Sequence, residues 1–115
     1  PWLAVNANYS QINAQLAQRT PSSIFSYYQR LIKLRHQLPI MTTGDYYLLA
    51  PDDPAVYTYG RRAGTQQLLV ICNFTAETQT RHFEMLATNA QLLISNYEDD
   101  HQDTLRPYEA KVYQF

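Results

Sequence analysis

Between Gln66 and Phe74 the chain reads QQLLVICNF, and five consecutive apolar residues, Leu68, Leu69, Val70, Ile71 and Cys72, leave no position for a water-facing side chain. A strand with one wet face alternates apolar and polar residues, so an unbroken run predicts a strand buried on both faces. The run is short, β-branched at its centre and closed by Asn73 ahead of a polar stretch, which argues against a helix. A central strand requires neighbours on both edges and a cover on each face. The flanking sequence supplies candidates for both.

Upstream, Asp45 to Ala50 (DYYLLA) predicts a short strand, Pro51-Asp52-Asp53-Pro54 a turn, and Ala55 to Arg62 an alternating strand. That alternation places Tyr57 and Tyr59 on one face, Val56 and Thr58 on the other. Ala63-Gly64-Thr65 reverses the chain into the central strand. Downstream, Thr80 to Leu86 predicts a half-exposed strand with Arg81, Phe83 and Met85 on one face, and Gln91 to Asn96 another short strand. Tyr97 to Asp103 (YEDDHQD) reads as a solvated acidic loop. In the closing segment from Leu105 to Phe115, Pro107 restricts a strand to an edge or a bulge. About six antiparallel strands after one helix is an α+β layout.

That helix is announced by Thr20-Pro21-Ser22-Ser23, with a hydroxyl able to cap and proline at the first helical position. It is expected to run to about Leu38, where Pro39 ends it. At 100° per residue, Leu34, Tyr27, Leu38, Leu31, Ile24, Tyr28, Ile32 and Phe25 cover an arc of about 180°, wider than the stripe needed against one sheet face. Such a helix is equipped to touch two surfaces. Arg35 falls inside the arc, so its charge must snorkel or find a carboxylate. The first twenty residues show no sustained period and predict an irregular connection, of a length uncommon in a compact domain that marks either a functional loop or, as expected here, a loop whose packing partner is missing.

A chain of 115 residues suits one domain. Its single cysteine, Cys72, cannot form an internal bridge and reads as a small buried hydrophobe in a reducing compartment. Nine basic and ten acidic side chains without a Lys/Arg block offer no footprint for nucleic acid or an anionic membrane. No apolar run approaches the roughly 20 residues of a membrane span. The chain is therefore expected to be soluble, and its start at Pro1 without a methionine is expected to mark a piece of a longer protein.

Chemistry of its own is scarce. His36, His82 and His101 have no second ligand at metal spacing, and Glu98 to Asp103 lacks the glycine and terminal glutamate of a calcium loop. With only Gly44, Gly60 and Gly64 there is no phosphate loop, and Ser22 and Ser23 have no nucleophile elbow around them. The sequons Asn8-Tyr9-Ser10 and Asn73-Phe74-Thr75 are expected to be chance occurrences. Ten tyrosines and Trp2 leave a sugar-binding aromatic face as an alternative.

One resemblance covers almost the whole chain. Pro1-Trp2, Val5-Asn6-Ala7-Asn8-Tyr9, Ile12-Asn13 and Ser23 to Arg35 (SIFSYYQRLIKLR) resemble the end of the catalytic barrel in the α-amylase superfamily, glycoside hydrolase family 13. Gly44-Asp45-Tyr46, Asp52-Asp53-Pro54, Val56-Tyr57-Thr58-Tyr59, Leu69 to Phe74 and Pro107-Tyr108-Glu109-Ala110 resemble, in order, the C-terminal β domain of its oligo-1,6-glucosidase and trehalose-6-phosphate hydrolase subgroup. Ala7 stands where the family usually has proline.

The resemblance implies that residues 1–38 are the last loop and helix of a (β/α)8 barrel, and residues 39–115 an antiparallel β-sandwich that caps it. The parent would be a cytoplasmic α-glucosidase acting on a short oligosaccharide by a retaining mechanism, with an aspartate nucleophile, a glutamate general acid and a second aspartate. All three would lie upstream of Pro1. No catalytic, cofactor-binding or metal-binding residue is therefore assigned here, no cofactor is expected, and the chain alone is expected to be inactive. Its expected partners are the parent barrel and, through the helix Ser22 to Leu38, a second copy of itself. The alternative is an independent β-sandwich module that binds carbohydrate or protein.

Overall fold

The computed structural model describes residues 2–87 and 89–115; the Pro1 of the Pro1-Trp2 motif lies outside the described residues. The chain divides into two compact units, one ending at Leu34 and the other spanning Arg35–Phe115.

The first unit is more regular than its sequence predicts. A 3-10 turn at Ala7–Ser10 and a helix α1 at Ala14–Arg19 occupy the stretch expected to be irregular. Asparagine caps account for both: Asn6 Oδ1 accepts from the Asn8 amide at 3.2 Å, and Asn13 Oδ1 from the Leu16 amide at 2.8 Å. The helix signalled at Thr20 begins later, as α2 (Ile24–Gln37). Ser23 is its cap, with Oγ accepting from the Ser26 amide at 3.1 Å, while Thr20-Pro21-Ser22 forms the turn before it. Along α2 the row Tyr27, Leu31, Leu34 is half-buried, whereas Ile24, Phe25, Tyr28 and Ile32 are exposed. The wide arc thus has two flanks of different exposure. Arg35 is exposed, the snorkelling outcome.

In the second unit Pro39 does more than end a helix: it leads a short helix α3 (Ile40–Thr43), and its carbonyl accepts from the Thr42 and Thr43 amides, each at 2.9 Å. Strands follow at β1 (Asp45–Leu49), β2 (Val56–Ala63), β3 (Gln66–Asn73), β4 (Gln79–Thr80), β5 (Gln91–Ser95), β6 (Thr104–Leu105) and β7 (Ala110–Gln114). Five form an antiparallel sheet in the order β1-β2-β3-β7-β5, and β4 pairs with β6 in a two-stranded ribbon. The fold is α+β, and QQLLVICN is the central strand of the larger sheet.

Its two faces are covered unequally. Leu69 and Ile71 share a fully dry face with Val56 and Tyr113, against which Leu86 and Leu105 close. On the opposite face Leu68 is buried, but Val70 and Cys72 are only half-buried. Tyr57 and Tyr59 lie on that second face, Val56 and Thr58 on the first, as the alternation predicts. On the first face, Tyr47 lies across its strand partner Gly60, where a Cβ would meet the ring at 2.1 Å.

Two strand expectations change. Thr80 to Leu86 is not a continuous strand: β6 offers only two residues for pairing, after which the chain enters a 3-10 turn at Glu84–Ala87 that buries Leu86. Pro107 does not confine the last strand to an edge either, because β7 begins beyond it and is paired on both sides, by β3 and β5.

Candidate functional site

Tyr97 to Asp103 is a loop, but its acidic residues do not merely face solvent. Lys111, whose side chain is wholly buried on β7, donates from Nζ to Asp100 Oδ1 at 3.0 Å and to the His101 and Thr104 carbonyls at 2.7 and 3.0 Å. The Tyr113 hydroxyl donates to the same carboxylate at 2.7 Å. Burial raises the Tyr113 pKa, and the adjoining Asp100 carboxylate raises it further.

Beside it, Glu109 is also buried and accepts from the Arg106 amide and from Arg106 Nη2, each at 2.7 Å. Burial by itself would raise the Glu109 pKa. The hydrogen bonds from Arg106 and the field of Lys111 outweigh it, so the carboxyl is held below its ordinary value. Arg106 stacks over the Tyr97 ring at 4.1 Å and pairs with Asp99, which in turn meets His101 at 2.8 Å. Tyr108, at φ 54, turns the chain between Arg106 and Glu109.

This cluster binds the loop to the sheet. Asp99, Asp100 and Glu109 each accept from a cation or hydroxyl within it. Sequence reasoning reads these residues as solvated because their partners lie further along the chain: Arg106 in the turn between β6 and β7, and Lys111 and Tyr113 on β7, a strand whose inward register becomes legible only once it is placed.

A second polar anchor sits at the end of β3. Asn73, buried, donates from Nδ2 to the Glu77, Leu105 and Arg106 carbonyls at 2.8, 3.2 and 3.0 Å, and its Oδ1 accepts from the Thr75 amide and hydroxyl. Its sequon is therefore inaccessible to glycosylation in the folded chain. Asp53, read as part of a turn, accepts from the Ala55 and Val56 amides at 3.0 Å and from Arg81 Nε at 2.7 Å. The Arg81 guanidinium is the main reason its carboxyl lies well below the usual range.

The remaining candidate is aromatic. On the second face of the sheet Tyr46, Tyr59, Tyr57 and Phe74 follow one another at ring separations of 5.4, 5.4 and 6.4 Å. The Tyr46 and Tyr57 hydroxyls lie 2.8 Å apart and bond to each other, which raises the Tyr57 pKa to about 12. Next to them is an open hollow of about 310 Å³ lined by Leu48, Pro51, Pro54, Tyr57 and Phe74.

Cys72, unbridged, is half-buried, and burial raises its pKa. His82 meets Asp103 at 3.2 Å, and among the described residues no three His, Cys, Asp or Glu side chains stand close enough to hold a metal ion. No helix is long and apolar enough to cross a membrane among the described residues.

Comparison with known proteins gives a consistent picture. The family described as α-amylase, catalytic domain, matches residues 1–44. Oligo-1,6-glucosidase of Heyndrickxia coagulans is 48% identical over 98% of this chain and 20% of its own length. Trehalose-6-phosphate hydrolase of Escherichia coli (strain K12) is 40% identical over 96% of this chain and 21% of its own. The crystal structure of Bacillus licheniformis trehalose-6-phosphate hydrolase superimposes with a TM-score of 0.89 at 38% identity, over 99% of this chain and 22% of that one. The chain thus spans about a fifth of the length of these relatives.

Proposed function

The chain belongs to the α-amylase family, and on that premise we propose that it is a non-catalytic part of a glycoside hydrolase whose full-length form cleaves short α-glucosides with retention of configuration. The observation that carries this reading is the 48% identity to an oligo-1,6-glucosidase, sustained over 98% of the chain. Its role is to close one end of the catalytic barrel. A cytoplasmic setting belongs to the same reading and is supported by the single, unbridged Cys72.

The chemistry of the site supports an inactive segment. Hydrolysis with retention requires two carboxyl groups about 5–5.5 Å apart flanking an open substrate position. Here Asp53, half-buried, and Glu109, buried, are each tied to an arginine. An independent sugar-binding module has one observation in its favour, the exposed rings of Tyr46, Tyr57 and Phe74. Against it, the Tyr46 and Tyr57 hydroxyls bond to each other, so only one of their two O–H donors remains for a sugar.

Assay of the full-length parent and of this chain alone with isomaltose, maltose and trehalose 6-phosphate tests the reading. Hydrolysis by the parent only is expected. Turnover by the chain alone overturns its non-catalytic role, and an inactive parent overturns the glucosidase assignment. Millimolar or tighter sugar binding by the chain alone favours the module.

A further inference from the structure

The α-amylase match runs from residue 1 to residue 44, so α2 is the last long helix within catalytic-domain sequence. In a (β/α)8 barrel each helix begins on the side where the strands end, and the loops that lead into the helices build the active-site face. The segment from Trp2 to Arg19 leads into α2. Barrel topology therefore brings it to that face.

Two kinds of exposed side chain stand on this segment. Leu3, Val5 and Ile12 carry no polar atom, and a dry protein surface suits them. Asn8 and Tyr9 are exposed as well, but each holds a polar group that a dry contact would strand. The asparagines at 6 and 13 use their carboxamides locally. Asn6 Oδ1 accepts from the Asn8 amide, and Asn13 accepts from the Leu16 amide while its Nδ2 donates to the Tyr9 carbonyl at 3.0 Å. The Asn8 carboxamide bonds to nothing among the described residues. Its backbone is nonetheless fixed, because the Asn8 carbonyl accepts from the Gln11 and Ile12 amides, each at 2.9 Å. A capped 3-10 turn thus presents an uncommitted amide next to an aromatic ring.

That pairing suits a sugar. The C–H face of the sugar ring lies against a flat aromatic surface, and its hydroxyls both donate and accept, as a carboxamide does. We propose that Asn8 and Tyr9 form part of the wall of the α-glucoside cleft in the full-length parent, with Tyr9 against a sugar ring and Asn8 bonded to its hydroxyls. This deepens the reading above and rests on it. Their part is to hold the substrate, and the chain alone supplies one wall only.

Kinetics of the full-length parent with isomaltose, maltose and trehalose 6-phosphate, read on the sugar turned over fastest, test this. Asn8→Ala and Tyr9→Ala are each expected to raise KM about three- to tenfold with kcat retained, and Tyr9→Phe, which keeps the ring, to restore KM to within about twofold of the wild type. Unchanged KM in both alanine variants overturns the proposal. A loss of kcat that tracks a lowered melting temperature also overturns it, because it marks a structural role. Hydroxyl-radical footprinting of the wild-type parent reads the same contact without any variant. Sulfur-linked, uncleavable analogues of the three sugars are expected to abolish labelling of Tyr9, and mannitol to leave it unchanged. A Tyr9 that is unlabelled before sugar is added, or labelled equally with an analogue bound, overturns the proposal. An active parent indifferent at Asn8 and Tyr9 loses only this wall, whereas a parent that neither cleaves nor binds the sugars loses the assigned activity and the wall with it.

Discussion

Lys111 Nζ lies 3.0 Å from Asp100 Oδ1, and of the two side chains only the lysine is wholly removed from solvent. The pair is therefore asymmetric. Removing Asp100 takes the nearest carboxylate from a buried ammonium and leaves it two carbonyls and Glu109 Oε1 at 3.6 Å, whereas removing the ammonium leaves Asp100 with the Tyr113 hydroxyl and Glu109 with Arg106. Asp100→Ala is expected to destabilise the chain by about 2–4 kcal/mol and Lys111→Met by clearly less. Urea denaturation of both variants measures the difference, and equal losses would mean that the carbonyls and Glu109 suffice to hold the lysine.

Acid is expected to loosen the same region. Glu109 and Asp53 have pKa values below their ordinary 4.5 and 3.8, which means that the folded state favours their charged forms. Their contribution is fully present above those ordinary values and is lost as pH falls through them toward the depressed folded values. Stability is expected to be flat with respect to these two groups between pH 6 and about 5 and to drop below about pH 4. Thermal melts from pH 7 to 3 follow this, and Glu109→Gln should flatten part of the acid limb.

Asn73 Nδ2 joins three carbonyls, of which Glu77 also accepts from the Thr75 hydroxyl and Arg106 from the Glu109 amide, so Asn73→Ala loses the tie between them and is expected to cost on the order of 1–3 kcal/mol. Asn73→Asp should be worse, because a carboxylate oxygen would then face those carbonyls. Denaturant midpoints showing the aspartate variant as stable as the wild type would contradict this account of the amide.

The central strand should register its uneven cover. Ile71→Ala opens a cavity on the dry face and is expected to cost on the order of 2–5 kcal/mol, while Val70→Ala on the half-open face should cost distinctly less in this chain. Paired melts of both variants give the comparison.

On α2, Ile24, Phe25 and Ile32 are 79, 43 and 54% exposed. The isolated chain is expected to pair with a second copy through this flank, related by a twofold axis. Sedimentation across a concentration series should show dimer, and Ile32→Glu or Phe25→Glu should return monomer. A strict monomer unaffected by either change removes the helix as a contact.

What the sequence by itself determined is what local periodicity and turn chemistry encode. The unbroken run at Leu68 to Cys72 marks the middle of a sheet, and the alternation from Val56 to Tyr59 assigns each side chain to its face. The ordered motifs from Pro1 to Ala110 identify the family. Where the signals were weaker than a period, local reading erred. Asparagine caps ordered the stretch after Trp2, and the strand expected after Thr80 lost its pairing after two residues.

Only the tertiary structure decided how polar groups far apart in sequence meet. Asp100 reads as a solvated charge until Lys111 and Tyr113 are placed inward on β7, and Asn73 reads as a strand end until Leu105 and Arg106 arrive beside it. The wet or dry character of Val70 was equally out of reach. Burial on both faces is a property of what packs on the strand, and the run of apolar residues records that a cover is required without saying which element provides it.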